Sequence, residues 1–258
     1  MQRRELLVDG QVQVDVLVDG IGPAIVVLPS SQRDSLDFDD VAGRTAAAGF
    51  SVLRPQPRGM ANSKGPMQGL TLDALAQDVA LVIERLGGGR AIVAGHAFGH
   101  FVARVAALNH PALVRGVAVL AGAARTFPPG LTAALDVAAD ASRPRDERLS
   151  ALQRAFFAPG NDASVWLDGW HPALRETYRA AAVTPPKTAW WPVSHAPILD
   201  LQGACDPWRP AATRLELQEV LGAKVTVQLL EQASHAMLPE QPAAVAAALT
   251  AWARTLPT

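Results

Sequence analysis

The chain has 258 residues, 49% of them hydrophobic and 18% charged, with a formal net charge of −1 at pH 7. A chain of this length can bury the core of one large domain without disulfides or metals. Its near-zero net charge gives no electrostatic case for nucleic acid or an anionic membrane as a partner. The single cysteine, Cys205, cannot form an internal disulfide, and the chain shows neither a signal-peptide core nor an apolar run of membrane-spanning length. We therefore expect a cytoplasmic protein that acts on a small molecule.

The first half of the chain alternates strand and helix patterns. Apolar and polar residues alternate on either side of Asp9-Gly10, which predicts an antiparallel strand pair at 5–9 and 11–18. Continuous apolar runs predict buried strands at 24–28, 51–54, 91–94 and 117–121. Helical spacing predicts helices at 38–48, at 71–86 with Thr71 as the N-cap, and from about 99 to 109. This alternation predicts an α/β fold, with a mostly parallel sheet covered by helices on both faces.

The alternation of predicted strands and helices stops between residues 125 and 195. This stretch predicts only helices, at 131–139, 145–157 and 172–182. Strands return at 198–202 and 224–230, with helices at 210–221 and 239–255, which makes eight strands in all. The sequence thus predicts a core of residues 1–124 and 196–258 and a small helical cap of residues 125–195. Such a cap would lie over a site at the carboxyl edge of the sheet.

The segment Gly95-His96-Ala97-Phe98-Gly99 lies between an apolar strand and a helix pattern. It has the frame G-x-S-x-G, a sharp strand-to-helix turn that presents a nucleophilic serine, except that alanine occupies the serine position. A methyl group cannot attack a substrate. Two origins of Ala97 stay open: a serine replaced by substitution, or a natural site without serine.

Three further segments lie at predicted strand ends. They are Leu28-Pro29-Ser30-Ser31, the run Arg54-Pro55-Gln56-Pro57-Arg58-Gly59, and Gln202-Gly203-Ala204-Cys205-Asp206-Pro207 followed by Ala233-Ser234-His235. With the turn at Ala97, these segments resemble the α/β-hydrolase-fold superfamily, in particular its capped, esterase-like members, over essentially the whole chain. Two departures stand out. The family's usual His-Gly pair is absent before Ser30, and Gln56 replaces an aspartate.

The resemblance implies roles for these positions. Ala97 occupies the nucleophile position, Asp206 the acid and His235 the base, in the chain order of the family. An aspartate that accepts the Nδ1 proton of the histidine fixes its tautomer and stabilises the imidazolium. The backbone N–H of Phe98 and that of Ser30 or Ser31 would form the oxyanion hole.

Other candidates come from the histidines and tryptophans. His96 is expected to pack beneath the site, and His100 is a weaker candidate because it already lies in the following helix. The cap tryptophans are core residues in the simplest interpretation, but several would line the substrate pocket. The candidate pocket residues are His96, His100, Trp166, Trp170, Trp190 and Trp191. No histidine spacing is typical of a metal site, so we expect neither metal nor cofactor.

Three functions are consistent with these residues. The first is an ester or related acyl hydrolase for a small-to-medium apolar substrate, either inactive or divergent because of Ala97. The second is an enzyme that uses His235 and Asp206 as acid and base without a covalent intermediate, as lyases, cyclases and cofactor-free oxygenases do. The third is a non-catalytic ligand-binding protein. The sequence leaves the substrate open, and it does not distinguish a monomer from a homodimer.

Overall fold

A computed structural model describes residues 2–257. In this range eight strands form one sheet in the order β1-β2-β4-β3-β5-β6-β7-β8. The strands are β1 (Gln2–Asp9), β2 (Val12–Asp19), β3 (Ala24–Leu28), β4 (Ser51–Pro55), β5 (Ala91–His96), β6 (Val114–Leu120), β7 (Ile198–Gly203) and β8 (Val225–Leu230). Only β2 runs antiparallel to its neighbours, and the pairs from β4 to β8 are parallel. The predicted α/β fold is confirmed.

The helices lie between the strands, in the segment that precedes β7, and after β8. They are α1 (Asp39–Ala47), α2 (Leu72–Leu86), α3 (Gly99–Asn109), α4 (Leu131–Ala139), α5 (Arg145–Ala155), α6 (Arg175–Ala181), α7 (Lys187–Trp190), α8 (Glu216–Leu221), α9 (Met237–Glu240) and α10 (Pro242–Ala253). The predicted N-cap residue of α2 is confirmed: the Thr71 hydroxyl accepts a hydrogen bond from the Ala74 N–H at 3.1 Å. Such a cap typically contributes about 1 kcal/mol.

The sheet is buried on both faces because side chains alternate along its central strands. In β3, Val26 packs toward α2 and α3, while Ile25 and Val27 pack toward α1 and α10. These central strands therefore consist of uninterrupted apolar residues rather than an alternating pattern. The parallel strands end together at one edge, where the loops after β3, β5, β7 and β8 meet.

Several predicted helices differ from the observed ones in the second half. The predicted helix 210–221 is a short 3₁₀ turn followed by α8, and 239–255 consists of α9 and α10, separated at Gln241. Pro242 explains the second break, because proline begins a helix readily but donates no N–H within one. The helix predicted at 172–182 begins with a 3₁₀ turn at 172–174, and that at 145–157 ends at Ala155.

The segment 125–195 is helical, but its two ends pack differently. Its first part forms a separate apolar cluster around Leu152 and Trp166, which also includes Trp208 from the loop after β7. Its last part, including Tyr178 and Trp190, joins the main core beside α2 and α3. The limits of the predicted cap domain stay a prediction, since half of this segment is continuous with the core.

Candidate active site

The turn after β5 has the backbone of a nucleophile elbow. Ala97 has φ +46°, in the left-handed region, and its N–H donates to the Leu120 carbonyl at 3.0 Å. The turn is tight because β5 approaches the start of α3 closely: a Cβ on Gly95 would lie 2.2 Å from the Gly99 carbonyl carbon, and one on Gly99 would lie 2.3 Å from the Leu28 oxygen. A non-glycine residue at positive φ costs on the order of 1 kcal/mol. The strained backbone of a nucleophile elbow is thus present although residue 97 is not a serine.

His235 and Asp206 form a buried pair. The His235 Nδ1 donates to the Asp206 Oδ2 at 3.0 Å, and both side chains are almost fully buried. The second carboxylate oxygen of Asp206 accepts the Trp208 backbone N–H at 2.8 Å. With Nδ1 engaged, the Nε2 of His235 is the nitrogen left to act as a base.

One open cavity of about 220 Å³ brings the elbow and the histidine together. It is lined by Ala97 and His235, by Ser30 and Ser31 from the loop after β3, and by Phe98. The backbone N–H groups of Phe98, Ser30 and Ser31 donate to no acceptor within residues 2–257. Ala97, His235, Phe98, Ser30 and Ser31 therefore share one cavity at the carboxyl edge of the sheet, and Asp206 lies buried behind His235.

A second, small cavity of about 50 Å³, lined mainly by apolar side chains, adjoins the first. Ser30, Phe98 and Tyr178 line both cavities. The second cavity lies between the ends of β2 to β4 and helices α2 and α3. The Tyr178 hydroxyl donates to the Arg58 carbonyl at 2.9 Å, which ties α6 to the loop after β4.

His96 lies beneath the site, outside the cavity wall. Its Nε2 donates to the His235 carbonyl oxygen at 2.7 Å, so the strand that ends in the elbow holds the histidine loop. Burial, with a smaller contribution from His235, lowers the pKa of His96 to about 3. Its ring is therefore neutral at physiological pH, and its role is to position His235.

The expectation that His100 and the four cap tryptophans line the pocket needs correction, because none of them contributes to the cavity wall. Trp166 and Trp170 stack on the Arg33 guanidinium, 4.7 and 4.9 Å from its Cζ. Trp190 and Trp191 pack instead on the far side of α3, around Arg104. The core interpretation holds for these four tryptophans.

His100 lies in that same buried region. Burial is the main reason that its pKa lies well below the ordinary value, and neither ring nitrogen has a hydrogen-bond partner in residues 2–257. Its ring contacts Phe101 and Trp190 rather than the cavity.

The aromatic wall of the cavity comes from residues that the sequence analysis did not single out. Trp208 lies 5.3 Å from the His235 ring centre, and Phe156 lies 5.7 Å from it. Trp208 follows Asp206-Pro207 directly, so its position in the acid loop was an available signal. Arg175 and Arg179 of α6 also line the cavity, and no motif in the sequence marked them.

The described residues show two further absences. No helix in residues 2–257 is long and apolar enough to cross a bilayer. No group of three or more histidine, cysteine, aspartate or glutamate side chains in that range is placed to hold a metal ion.

The sheet order, the elbow and the His–Asp pair define an α/β-hydrolase. A model of the alpha/beta hydrolase family matches residues 25–248, and the chain belongs to that family. The 2-(acetamidomethylene)succinate hydrolase of Mesorhizobium japonicum is 29% identical over 111 residues, which cover 43% of this chain and 40% of that protein. The match thus spans less than half of this curated relative.

Solved esterases share the fold over nearly the whole chain. An esterase from Exiguobacterium antarcticum has a TM-score of 0.79 and 20% identity, covering 98% of this chain and 100% of that one. A thermophilic esterase from Thermogutta terrifontis has a TM-score of 0.71 and 20% identity, covering 98% of both chains. At these identities the likeness shows the fold alone.

Proposed function

We propose that the site binds an ester or related acyl compound with a small-to-medium apolar group, and that Ala97 leaves it without the nucleophile of a serine hydrolase. The observation that carries this proposal is the elbow backbone, held at φ +46° in the same cavity as an intact His235–Asp206 pair. Membership of a hydrolase family and the hydrolase name of the curated relative support hydrolysis as the reaction class. The adjoining apolar cavity supports an apolar acyl or alcohol group.

The chemistry follows from the geometry. A carbonyl placed above the elbow would direct its oxygen to the N–H of Phe98 and to that of Ser30 or Ser31, which stabilise the negative charge of a tetrahedral intermediate. His235 Nε2 would take the proton of the attacking O–H group while Asp206 stabilises the imidazolium. With alanine at position 97, no acyl-enzyme forms, and water is the only nucleophile available. Sites that lack one triad member retain rates of roughly 10³–10⁴ over water, far below useful turnover.

The test compares the chain as it stands with Ala97→Ser on 4-nitrophenyl acetate and butyrate. We expect the serine variant to release nitrophenol in a burst equal to the enzyme concentration, followed by slower turnover. Ala61→Ser is the matched control, because Ala61 has the same φ of +46° but lies outside the cavity. Cys205→Ser removes the exposed thiol next to Asp206 as a source of background cleavage. A folded Ala97→Ser variant that cleaves neither ester would refute the proposal.

A second candidate rests on one observation: the acid–base pair is intact although the nucleophile is absent. In this case the chain abstracts a substrate proton without a covalent intermediate. The chain as it stands should then catalyse a proton-abstraction reaction such as the opening of 5-nitrobenzisoxazole, and His235→Ala should abolish that activity. If the protein instead only binds its ligand, His235→Ala should leave the affinity largely unchanged.

We also propose the cytoplasm as the compartment. The unpaired, exposed Cys205 supports this, since a reducing environment preserves such thiols.

A further inference from the structure

Helix α6 presents one face to the active-site cavity. Arg175, Tyr178, Arg179 and Ala182 all line it. Their spacing of three, four and seven residues places them on one side of a helix. Tyr178 is buried and faces the elbow side. The two arginines lie toward the solvent-exposed opening of the cavity, here called the mouth. About a third of the Arg175 side chain and about half of the Arg179 side chain are exposed.

The two arginines differ in how well they are paired. Arg175 hydrogen-bonds to Asp136 of α4. The nearest carboxylate oxygens to Arg179, on Asp136 and Glu176, are both 3.6 Å away, beyond hydrogen-bond distance. Glu176 is about three-quarters exposed, so water screens its charge strongly. Arg179 therefore lies within ion-pair distance of Asp136 and Glu176, but its guanidinium forms no hydrogen bond with the described residues.

The rest of the cavity wall carries no compensating negative charge. Among the described residues that line the cavity, none is an aspartate or glutamate. Asp136 lines a neighbouring cavity behind Arg175, and Asp206 is fully buried beneath His235. The wall therefore holds two arginines and no carboxylate, and Asp136 and Glu176 pair with these arginines from outside it. The wall near the elbow is aromatic and aliphatic.

We propose that the substrate carries a carboxylate at the end remote from its acyl bond, and that Arg179 binds this group while Arg175, oriented by Asp136, flanks it. A planar guanidinium with free donors matches a carboxylate in a bidentate arrangement. One guanidinium matches a singly charged carboxylate, whereas a doubly charged phosphate would need further donors. This inference rests on the proposed acyl site and specifies its substrate class.

Binding to the chain as it stands tests the inference without any catalysis. Isothermal titration would compare monomethyl succinate, which is anionic, with methyl butyrate, which is neutral. We expect the anionic ester to bind about tenfold more tightly, since hydrogen bonds to charged groups are the stronger kind and this one is partly screened by water. The preference should be lost in Arg179→Gln and only partly kept in Arg179→Lys, which retains the charge but not the bidentate geometry. It should be unchanged in Arg154→Gln, an exposed arginine of α5 outside the cavity. Equal binding of both esters, or a preference that survives Arg179→Gln, would overturn the inference.

Hydrolysis by the Ala97→Ser variant gives a second readout. The ratio of kcat/KM for 4-nitrophenyl hemisuccinate to that for 4-nitrophenyl butyrate should fall about tenfold when Arg179→Gln is added. A serine variant that cleaves both esters with equal kcat/KM would refute the carboxylate inference and leave the proposed function standing. A serine variant that cleaves neither, while the binding preference for the anionic ester persists, would refute the proposed function and support the carboxylate site.

Discussion

Replacing Gly95 by alanine tests whether close backbone contact with α3 holds the elbow in place. The added Cβ would lie 2.2 Å from the Gly99 carbonyl carbon and 2.3 Å from both the Gly99 oxygen and the His100 nitrogen. All three are backbone atoms in the first turn of α3, so no side chain can rotate to make room. The strand or the helix must shift instead.

The expected magnitude follows from these distances. Overpacking a core costs about 1–3 kcal/mol where side chains can adjust, so we expect Gly95→Ala to cost about 3 kcal/mol or more. Gly43→Ala is the matched control, because Gly43 lies on the exposed side of α1 with nothing within 4 Å of the added Cβ. There the same substitution should stabilise the protein by about 0.5–1 kcal/mol, since alanine is the better helix former.

Urea and thermal unfolding, followed by tryptophan fluorescence and circular dichroism, measure both variants. At about 2–4 °C per kcal/mol for a chain of this size, Gly95→Ala should lower Tm by about 6–12 °C and Gly43→Ala should raise it slightly. A Gly95→Ala protein within about 1 kcal/mol of the parent would contradict the close-contact explanation. Equal losses in both variants would show that glycine flexibility, rather than contact, explains the effect.

Three further predictions concern buried charges. The pKa of His96 is near 3 in the folded protein and 6.5 ordinarily, so between these pH values His96 lowers stability by about 1.4 kcal/mol per unit of falling pH. Buried His100, whose pKa is also lowered, adds to this slope. In urea titrations His96→Gln should therefore reduce the slope, and exposed His195→Gln should leave it unchanged. Arg58→Met leaves Asp78 buried without the guanidinium that now binds it at 2.6 and 2.7 Å. The free energy of unfolding in urea should fall by about 3–5 kcal/mol, and a fall of less than about 1 kcal/mol would count against burial of this pair. In the serine variant, Asp206→Asn should lower kcat for nitrophenyl esters by about 10³–10⁴, and an unchanged kcat would exclude the role of Asp206 in orienting His235.

The sequence was sufficient to predict the sheet and the positions that meet at its carboxyl edge. Continuous apolar runs such as Ala24–Leu28 mark strands buried on both faces, and parallel strands bring their following loops together. This is why the positions that the resemblance assigned to one site, Ala97, Asp206 and His235, all follow strands that end at the same edge. Helices α2 and α3 were also predicted well, because both combine long periodic patterns with clear ends, whereas the predicted helix 239–255 is divided at Gln241.

The sequence could not predict which residues line the cavity, because a tryptophan in a helical segment can face either the core or the pocket. Trp190 and Trp191 lie on the inner side of the chain that leads to β7, so they pack on α3 and Arg104. Trp208 reaches the cavity because it follows the acid loop, and its Nε1 donates to the Ala155 carbonyl at 2.7 Å. Only the path of the chain between residues 125 and 195 decides such orientations.

The elbow owes its shape to its neighbours and not to the side chain at its tip. Gly95 and Gly99 permit the close approach, and the Leu120 carbonyl fixes the Ala97 N–H. The backbone conformation of the turn therefore does not depend on the side chain of residue 97. That side chain can change without any change in His235, Asp206 or the loop after β3. In evolutionary terms, such a protein can lose one chemistry and acquire another by a single substitution, while selection on its fold and pocket continues undisturbed.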